Sequence, residues 1–316
     1  MIKSKSKKAM IFVNLDANEG RAALKWSKIS HFITDQITLP KEVFAYHCPF
    51  DITSCLHQQL ASFDIKLIIS AGGDGTANYI VNKIMELPHD SYKDIQLGFV
   101  GLGSSNDLLK PANKEYMGVP YKIDTHHSCK KDLGKASFTG NDDLLKTKFF
   151  LSNSSIGVGA NANHLFNTSD LIIRMIKPRF LNLTIIYTIL KAILQLKNFR
   201  VKLTHNEKEY FLNLSYLVLL KNPHISGKMK FDQVQVCDDG YLGLNFCENM
   251  NKRELIRVLR DLQKGVFSGK PKRHSNYVEK VIIELEKETL IEFDGDIERA
   301  RTIYYSVLKS AIQICQ

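Results

Sequence analysis

Three glycines surround a single carboxylate in the segment Gly72-Gly73-Asp74-Gly75-Thr76, which follows an apolar run and precedes a helix-like stretch. Glycine allows backbone N–H groups to approach phosphate oxygens, and the N-terminus of a helix adds partial positive charge. The charge of Asp74 would have no evident use among glycines unless it served a bound group. The segment therefore predicts a phosphate-handling loop with Asp74 as part of the site.

Two further polar loops follow strand-like runs in the same half of the chain. Residues 14–20 begin with Asn14, and residues 101–107 include Ser104, Asn106 and Asp107. In an open α/β sheet the ligand lies beyond the carboxyl ends of the strands, so we expect both loops to converge with residues 72–76. Two alternatives stay open: a glycine-rich turn can be a tight strand-to-helix connection, and Asn106-Asp107 can cap a helix.

Strand-like and helix-like segments alternate through the first part of the chain. The pattern predicts strands over residues 10–13, 42–46, 65–70 and 95–100, and helices over residues 21–32, 52–61 and 77–85. Apolar residues recur at helical spacing in the helix-like segments and form short continuous runs in the strand-like segments. Regular alternation indicates a parallel sheet with helices on its faces, so the first domain is expected to be α/β.

From about residue 146 the sequence becomes rich in strand-like segments. They cover residues 149–156, 200–204, 209–220, 233–236, 242–246 and 278–286, whereas residues 171–196 and 252–264 have a helical pattern. The prediction is a two-domain fold of the α/β plus β class, with the α/β domain over residues 9–145 and a mainly antiparallel β domain over residues 146–299. Residues 110–148 are the expected connection, and residues 300–316 are a candidate to pack back on the first domain.

The net charge and the cysteine pattern indicate which partners and which cellular compartment to expect. The 316 residues carry a formal net charge of +10 at pH 7, which favours anionic partners such as polyphosphate or an acidic membrane surface; solvated basic faces are the alternative. The sequence contains no zinc-finger, RNP-type or basic-zipper pattern, so we expect no nucleic-acid partner. Six cysteines without a C-x-x-C pair are typical of a reducing cytoplasm.

Neither export nor membrane insertion is indicated by the sequence. Residues 1–9 are a lysine and serine run without a following apolar signal region, and the longest apolar stretch, residues 180–196, is interrupted by polar side chains. We therefore expect a cytoplasmic protein. Peripheral contact of residues 180–196 with an anionic inner membrane face, aided by Arg174, Lys177 and Arg179, stays open beside burial of this helix on the β domain.

The best-known phosphate-binding signatures are missing from the chain, but sequence blocks of a different family are present. Neither a G-x-x-x-x-G-K-[ST] loop nor the H-R-D and D-F-G set of protein kinases occurs in the chain. Several blocks instead resemble, in order, those of the diacylglycerol kinase catalytic family, which includes bacterial lipid kinases, sphingosine kinases and ceramide kinases. The blocks are residues 14–26, 72–82, 97–107, 153–162, 238–242 and 294–296. Residues 72–82 are similar to G-G-D-G-T-x-N-E-V-x-N and residues 294–296 to a late D-G-E.

The resemblance implies a Rossmann-like nucleotide domain related to those of NAD kinase and phosphofructokinase, a β-sandwich-like lipid domain, and ATP and Mg²⁺ as cofactors. It implies nucleotide contacts for Asn14, Gly72, Gly73, Asp74, Gly75, Thr76, Asn78, Ser104, Asn106 and Asp107. Asp296 is implied to accept the proton of the substrate hydroxyl, with Asp74 as the second catalytic carboxylate. A structural Mg²⁺ is implied at Asp239 and the Tyr241 carbonyl, where hydrogen bonding within a turn is the alternative role of Asp239.

The expected function is a lipid kinase that transfers the γ-phosphate of ATP to a hydroxyl of diacylglycerol or a similar lipid. A lipid substrate is the expected partner, and a homodimer is compatible with this interpretation. An NAD kinase, which shares the G-G-D-G-T block, is one alternative. Another is a non-catalytic nucleotide- or lipid-binding relative, because Asn18 and Ser105 replace loop glycines and Asp296 is one methylene shorter than the family's glutamate.

Overall fold

The chain forms two compact units in the computed structural model, which describes residues 5–168, 173, 180–195 and 197–316 and only the backbone of Leu181 and Asn182. The first unit comprises Met1–Lys131 and Ser310–Gln316, and the second comprises Asp132–Lys309. The chain thus leaves the first unit once and returns to it with its last residues.

The first unit alternates strands and helices along most of its length. It contains β1 (Lys7–Asn14), α1 (Arg21–Asp35), β2 (Lys41–Tyr46), α2 (Ile52–Ser62), β3 (Asp64–Gly72), α3 (Asp74–Met85), α4 (His89–Tyr92), β4 (Gln96–Gly101), a 3-10 helix (Asp107–Leu109), β5 (Glu115–Tyr116), β6 (Val119–Lys122) and the start of β7 (Ser128–Thr139). Every strand and helix predicted for residues 10–100 is present. Helix α3 begins at Asp74, so its first turn is the glycine loop itself.

Strand β1 is the centre of a parallel sheet. It pairs with β2 on one side and with β3 on the other, and β3 pairs in turn with β4. Alternate apolar residues of β1 and β3 belong to one core with Trp26, Ile29 and Ile33 of α1. The apolar residues between them are buried as well, and burial on both faces accounts for the uninterrupted apolar runs. Because the strands are parallel, β1, β3 and β4 end at the same edge, which is where the three polar loops begin.

The second unit consists mainly of strands. It contains β8 (Lys146–Phe150), β9 (Asn153–Gly157), α5 (Val158–Asn167), α6 (Leu181–Leu194), β10 (Phe199–His205), β11 (Lys208–Leu220), β12 (His224–Ile225), β13 (Met229–Lys230), β14 (Leu242–Glu248), α7 (Lys252–Gln263), β15 (Arg273–Val278), β16 (Lys280–Phe293) and most of β17 (Asp296–Cys315). Strands β9 and β10 lie end to end between β11 and β16, and all these pairs are antiparallel. The predicted α/β plus β class is confirmed.

Two hydrophobic clusters stabilise the second unit. One gathers the inward side chains of the sheet, with Phe138, Phe150, Phe293 and Tyr305 among its fully buried residues. The other lies where α5, α6 and α7 pack against β11 and β14. The unit therefore buries a core of its own, independent of the parallel sheet.

Several predictions for the second half need correction. Residues 149–156 form two strands instead of one, because the backbone N–H groups of Leu151 and Ser152 donate to the Asp294 carboxylate and leave the sheet. Residues 233–236 do not form a strand, and the side chains of Val234 and Val236 are exposed instead of packing in the core. Residues 171–180 fall largely outside the described residues, and the predicted helix is seen as α6. Strands β15 and β17 were not predicted.

The predicted connection, residues 110–148, contains strands β5, β6, β7 and the start of β8. The sequence predicts divisions after residues 145 and 299, whereas the units divide after Lys131 and Lys309. Both observed divisions fall inside long strands, β7 and β17. A strand that continues from one unit into the other has no loop or turn at the division, so a search for a linker segment could not locate it.

Within the described ranges, none of the helices has both the length and the apolar content that a membrane-spanning helix requires.

Candidate active site

The loop after β3 and the loop after β4 are in direct contact in the first unit. The Gly72 carbonyl oxygen accepts hydrogen bonds from the backbone N–H groups of Leu102 at 2.8 Å and Gly103 at 3.0 Å. A Cβ atom added to Gly103 would lie 2.4 Å from the Gly73 Cα, and one added to Gly72 would lie 2.5 Å from the Thr76 Oγ1. Glycine at position 103 therefore lets the two loop backbones approach this closely, and glycine at position 72 leaves room for the Thr76 side chain.

Asn14, at the end of β1, joins this assembly through Thr76. Its Nδ2 donates to the Thr76 Oγ1 at 3.0 Å, and its Oδ1 accepts from the backbone N–H of Asp16 at 3.0 Å. Thr76 is buried in the first turn of α3. The first and second polar loops are thus linked by a side-chain hydrogen bond, as expected for strands that end at one edge.

Asp74 and Asp107 have different partners within the same loop cluster. The Asp74 Oδ1 accepts from the backbone N–H of Leu108 at 3.0 Å, which ties the start of α3 to the 3-10 helix. The Asp107 Oδ1 lies 2.6 Å from the Lys110 Nζ, and only 9% of its side chain is exposed. Asp107 is therefore neutralised by a nearby lysine, while the half-buried Asp74 sits at the positive end of a helix.

Asn106 carries an unsatisfied buried oxygen. Its backbone is in the left-handed region with φ 49°, and its Nδ2 donates to the Gly101 carbonyl at 3.1 Å. Its Oδ1 is buried and has no hydrogen-bond partner in the part of the chain that the structure describes. Because buried acceptors are nearly always paired, this oxygen fits a role in accepting from a hydroxyl or amino group of a bound molecule.

Lys25 is a candidate binding residue that the sequence did not reveal. It lies one helical turn into α1, and its Nζ donates to the Gly103 carbonyl at 3.3 Å. Burial lowers the pKa of this ammonium, and the neighbouring charge of Arg21 lowers it further. Its four-residue spacing from Arg21 is the signal that could have placed both cations on one face.

The remaining candidates of the first unit have simpler environments. Gly75 and Ser104 are exposed, which leaves them accessible to a ligand. Asn78 is buried on α3, where its Oδ1 accepts from the Asn82 Nδ2 at 2.8 Å. Asn78 therefore forms a side-chain hydrogen bond within α3.

The late acidic block, residues 294–296, belongs to the second unit, and its two aspartates differ sharply. The Asp294 carboxylate is buried and accepts the backbone N–H groups of Leu151 at 2.5 Å, Ser152 at 3.0 Å and Asn153 at 2.8 Å. Asp296 has 48% of its side chain exposed and forms an ion pair with the Lys148 Nζ at 2.7 Å. Only Asp296 is thus accessible to a substrate hydroxyl.

Glu292 supports the same turn from within the core. Its Oε2 accepts from the Ser155 hydroxyl at 2.8 Å, and its Oε1 accepts from the Gly295 backbone N–H at 2.7 Å. Neither Glu292 nor Asp294 was predicted as a site residue. Both fix the backbone that presents Asp296.

The predicted metal ligands Asp239 and Tyr241 do come together, but around a lysine. The Lys221 Nζ donates to the Asp239 Oδ1 at 2.9 Å and to the Tyr241 carbonyl at 3.1 Å. Burial acts to raise the pKa of Asp239, but the hydrogen bonds from Lys221 and from the Tyr241 backbone N–H outweigh it, so this pKa is lowered. A Mg²⁺ ion does not fit where an ammonium group already occupies the centre of the ligand set.

No group of three or more histidine, cysteine or acidic side chains that could hold a metal occurs among residues 5–168, 173, 180–195 and 197–316.

Comparison with known proteins identifies relatives of this chain. Residues 8–135 match the diacylglycerol kinase catalytic domain. A diacylglycerol kinase of Staphylococcus haemolyticus is 23% identical over 256 residues, which cover 80% of this chain and 71% of that protein. A diacylglycerol kinase of Staphylococcus carnosus is 22% identical over 256 residues, covering 79% of this chain and 76% of the relative.

A solved structure shows the same fold. The crystal structure of a diacylglycerol kinase from Bacillus anthracis superposes with a TM-score of 0.64 over 100% of this chain and 98% of that chain, at 16% sequence identity. The match extends through both units, which supports the two-unit architecture. The resemblance noted in the sequence is confirmed, since residues 8–135 match the diacylglycerol kinase catalytic domain and relatives named diacylglycerol kinase align over most of the chain.

Proposed function

We propose that this protein is an ATP-dependent lipid kinase, which transfers the γ-phosphate of ATP to a hydroxyl of diacylglycerol or a similar lipid. The observation that carries the proposal is the contact of Gly72 and Gly73 with Gly103, at the N-terminus of α3 and beside Asp74. This cluster lies within the residues that match the family.

The glycine loops supply the binding chemistry. Backbone N–H groups at the start of α3 would donate to phosphate oxygens, and the helix dipole would favour the negative charge. Lys25 adds a cation at the Gly103 side of the cluster. The unsatisfied Oδ1 of Asn106 would accept from a hydroxyl or amino group of the nucleotide.

The carboxylate of Asp74 and the phosphates of ATP would hold Mg²⁺, since carboxylate and phosphate oxygens are the ligands that this ion prefers. The ion would neutralise charge on the transferring phosphoryl group. The hydrogen bond from the Leu108 backbone to the Asp74 Oδ1 fixes the orientation of the carboxylate for this role.

Asp296 would accept the proton of the attacking hydroxyl. Its exposure makes the carboxylate accessible, and the ion pair with Lys148 orients it. General-base assistance of this kind is worth about 10²- to 10⁴-fold in rate.

A lipid panel in mixed micelles tests the function. Purified protein, Mg-ATP and radiolabelled γ-phosphate are incubated with diacylglycerol, monoacylglycerol, sphingosine and ceramide, with and without anionic phospholipid, and with NAD as a non-lipid acceptor. Transfer to at least one lipid is expected, and Asp74→Asn should lower it by at least about 10²-fold. Asp90→Asn, an exposed aspartate on α4, is the matched control and should retain activity. Transfer to NAD alone, or tight ATP binding without transfer to any acceptor, would contradict the proposal.

A second experiment separates the effect of Asp296 on phosphoryl transfer from any effect on ATP binding. Asp296→Asn should lower kcat by about 10²-fold or more while the Kd for ATP stays within about threefold of the wild-type value. Loss of ATP affinity in this variant, with kcat preserved, would remove Asp296 from the role of proton acceptor.

A further inference from the structure

Lys221 is a fully buried lysine that directly follows β11. Its side chain has 0% exposure, and its Nζ lies within hydrogen-bond distance of four oxygen atoms. These are the Asp132 Oδ2 at 3.2 Å, the Asp239 Oδ1 at 2.9 Å, the Val236 carbonyl at 2.9 Å and the Tyr241 carbonyl at 3.1 Å. The ammonium is thus surrounded by oxygen on several sides within one unit.

This set of ligands is one that a hard divalent cation takes. Carboxylate and backbone carbonyl oxygens are the usual protein ligands of Ca²⁺ and Mg²⁺. An ammonium group has only three N–H donors, so one of its hydrogen bonds must be shared between two of the four oxygens. The oxygens therefore converge on a point, as they do around an ion, with hydrogen bonds in place of coordinate bonds.

The carboxylates of Asp132 and Asp239 accept hydrogen bonds from the backbone of residues 236–241. The Gly240 backbone N–H donates to the Asp132 Oδ2 at 2.7 Å, and the Tyr241 backbone N–H donates to the Asp239 Oδ1 at 3.0 Å. The Asp132 backbone N–H donates to the Cys237 carbonyl at 2.7 Å. Residues 236–241 are therefore held around the lysine in two ways: by hydrogen bonds to its ammonium group, and by hydrogen bonds between their own backbone and Asp132.

The backbone of Lys221 extends the same network toward the late acidic block. Its N–H donates to the Ser152 carbonyl at 2.7 Å, and the Ser152 N–H donates to the Asp294 Oδ1 at 3.0 Å. One residue therefore connects the Asp239 turn with the backbone that Asp294 holds.

We infer that the Lys221 ammonium takes the place of a structural divalent cation, so that residues 236–241 are held by a side chain of this chain and the second unit folds without a metal ion there. The ion implied by the family resemblance is replaced here by a covalently attached cation. The inference concerns the second unit alone and does not depend on the proposed kinase activity.

Two substitutions of Lys221 test whether its ammonium group takes the place of a divalent cation. Lys221→Ala removes the charge and opens a space lined by two carboxylates and two carbonyls, whereas Lys221→Met removes the charge but fills most of the space. Melting temperatures are measured by calorimetry for wild type and both variants, in EDTA and in excess MgCl2, MnCl2 or CaCl2, without nucleotide. Lys146→Ala, which removes an exposed lysine paired with Asp142, is the control for loss of a lysine from the same unit.

The wild type should melt at the same temperature in EDTA and in each divalent salt. Both Lys221 variants should melt about 10 °C lower in EDTA, because each leaves two buried or half-buried carboxylates without their cation. Divalent salt should raise the melting temperature of Lys221→Ala by about 4 °C or more and leave Lys221→Met unchanged. Adding Asp239→Asn to Lys221→Ala should abolish the rise.

Two results would overturn the inference. One is a wild-type protein that EDTA destabilises, with the effect removed by Asp239→Asn, since the site would then hold a metal beside the lysine. The other is a Lys221→Ala variant that no divalent salt stabilises. If Lys221→Ala is insoluble in EDTA, the yield of soluble protein from expression with and without added MnCl2 gives the same comparison.

Discussion

Replacing Gly103 by alanine would insert a methyl group into the contact between the two glycine loops. The added Cβ would lie 2.4 Å from the Gly73 Cα, 3.2 Å from the Gly73 backbone N and 2.9 Å from the Asn106 Oδ1. Ordinary van der Waals contact begins at 3.4 Å, and the nearest of these atoms, the Gly73 Cα, belongs to the backbone. We therefore expect Gly73 to retreat by about 1 Å, because backbone cannot rotate away as a flexible side chain can.

The size of the effect follows from the hydrogen bonds that such a shift removes. The Gly73 N–H is one of the donors expected to face the phosphates, and a shift of about 1 Å lengthens its bond beyond useful range. A hydrogen bond to a charged group contributes about 1.5–3 kcal/mol, which corresponds to about a 10- to 100-fold rise in the Kd for ATP. Overpacking should also cost about 1–3 kcal/mol of stability.

Binding of Mg-ATP is measured by titration calorimetry, and the free energy of unfolding by urea denaturation, for wild type, Gly103→Ala and Gly118→Ala. Gly118 is a matched control because it lies in the same unit with φ +73° and nothing within 4 Å of an added Cβ. Alanine there should cost about 1–2 kcal/mol of stability through backbone strain without moving the loops. The two variants should thus resemble each other in stability and differ in ATP affinity.

A folded Gly103→Ala variant that binds ATP within about threefold of wild type would refute the reasoning, because the loop contact would then have no part in phosphate binding. Equal losses of affinity in Gly103→Ala and Gly118→Ala would also refute it, since the effect would follow general destabilisation.

Two further predictions concern aspartates of the second unit. Asp294→Asn should lower the free energy of unfolding by about 3 kcal/mol, because an amide cannot accept all three backbone N–H groups; Asp143→Asn, also at positive φ but exposed, should be near neutral in urea denaturation. Since the folded pKa of Asp239 is lowered, its stabilising effect is present above the unfolded pKa and is lost as pH falls through the folded value. The stability difference between wild type and Asp239→Asn should therefore be full above about pH 5 and shrink below about pH 4, whereas a difference that grows toward acid pH would contradict the sign.

The first unit could be predicted closely because its signals are local. Alternating apolar runs and helical spacing identified β1 to β4 and α1 to α3, and the glycines of residues 72–76 marked the loop where phosphates are expected. Parallel pairing then requires the three loops to share an edge. The contact of Gly73 with Gly103 adds what the sequence could not show, namely that neither glycine can be replaced without displacing the other.

The second unit was harder to predict because its decisive interactions join residues far apart in the chain. Asp294 is 143 positions from Leu151 and Lys148 is 148 positions from Asp296. No periodicity connects such pairs. Lys221 looks like an ordinary charge at the end of an apolar run, and its role depends on carboxylates 89 positions before it and 18 positions after it.

The two aspartates of residues 294–296 show why a motif does not assign equal roles to its members. Asp294 is buried and committed to three backbone N–H groups, whereas Asp296 is half exposed and paired with Lys148. The first residue therefore builds the turn and the second is presented by it. Substitution of Asp294 should act on stability before it acts on turnover, and substitution of Asp296 should act on turnover alone. Because both carboxylates lie in one short turn, a comparison of the two variants separates the structural contribution of this block from its chemical one.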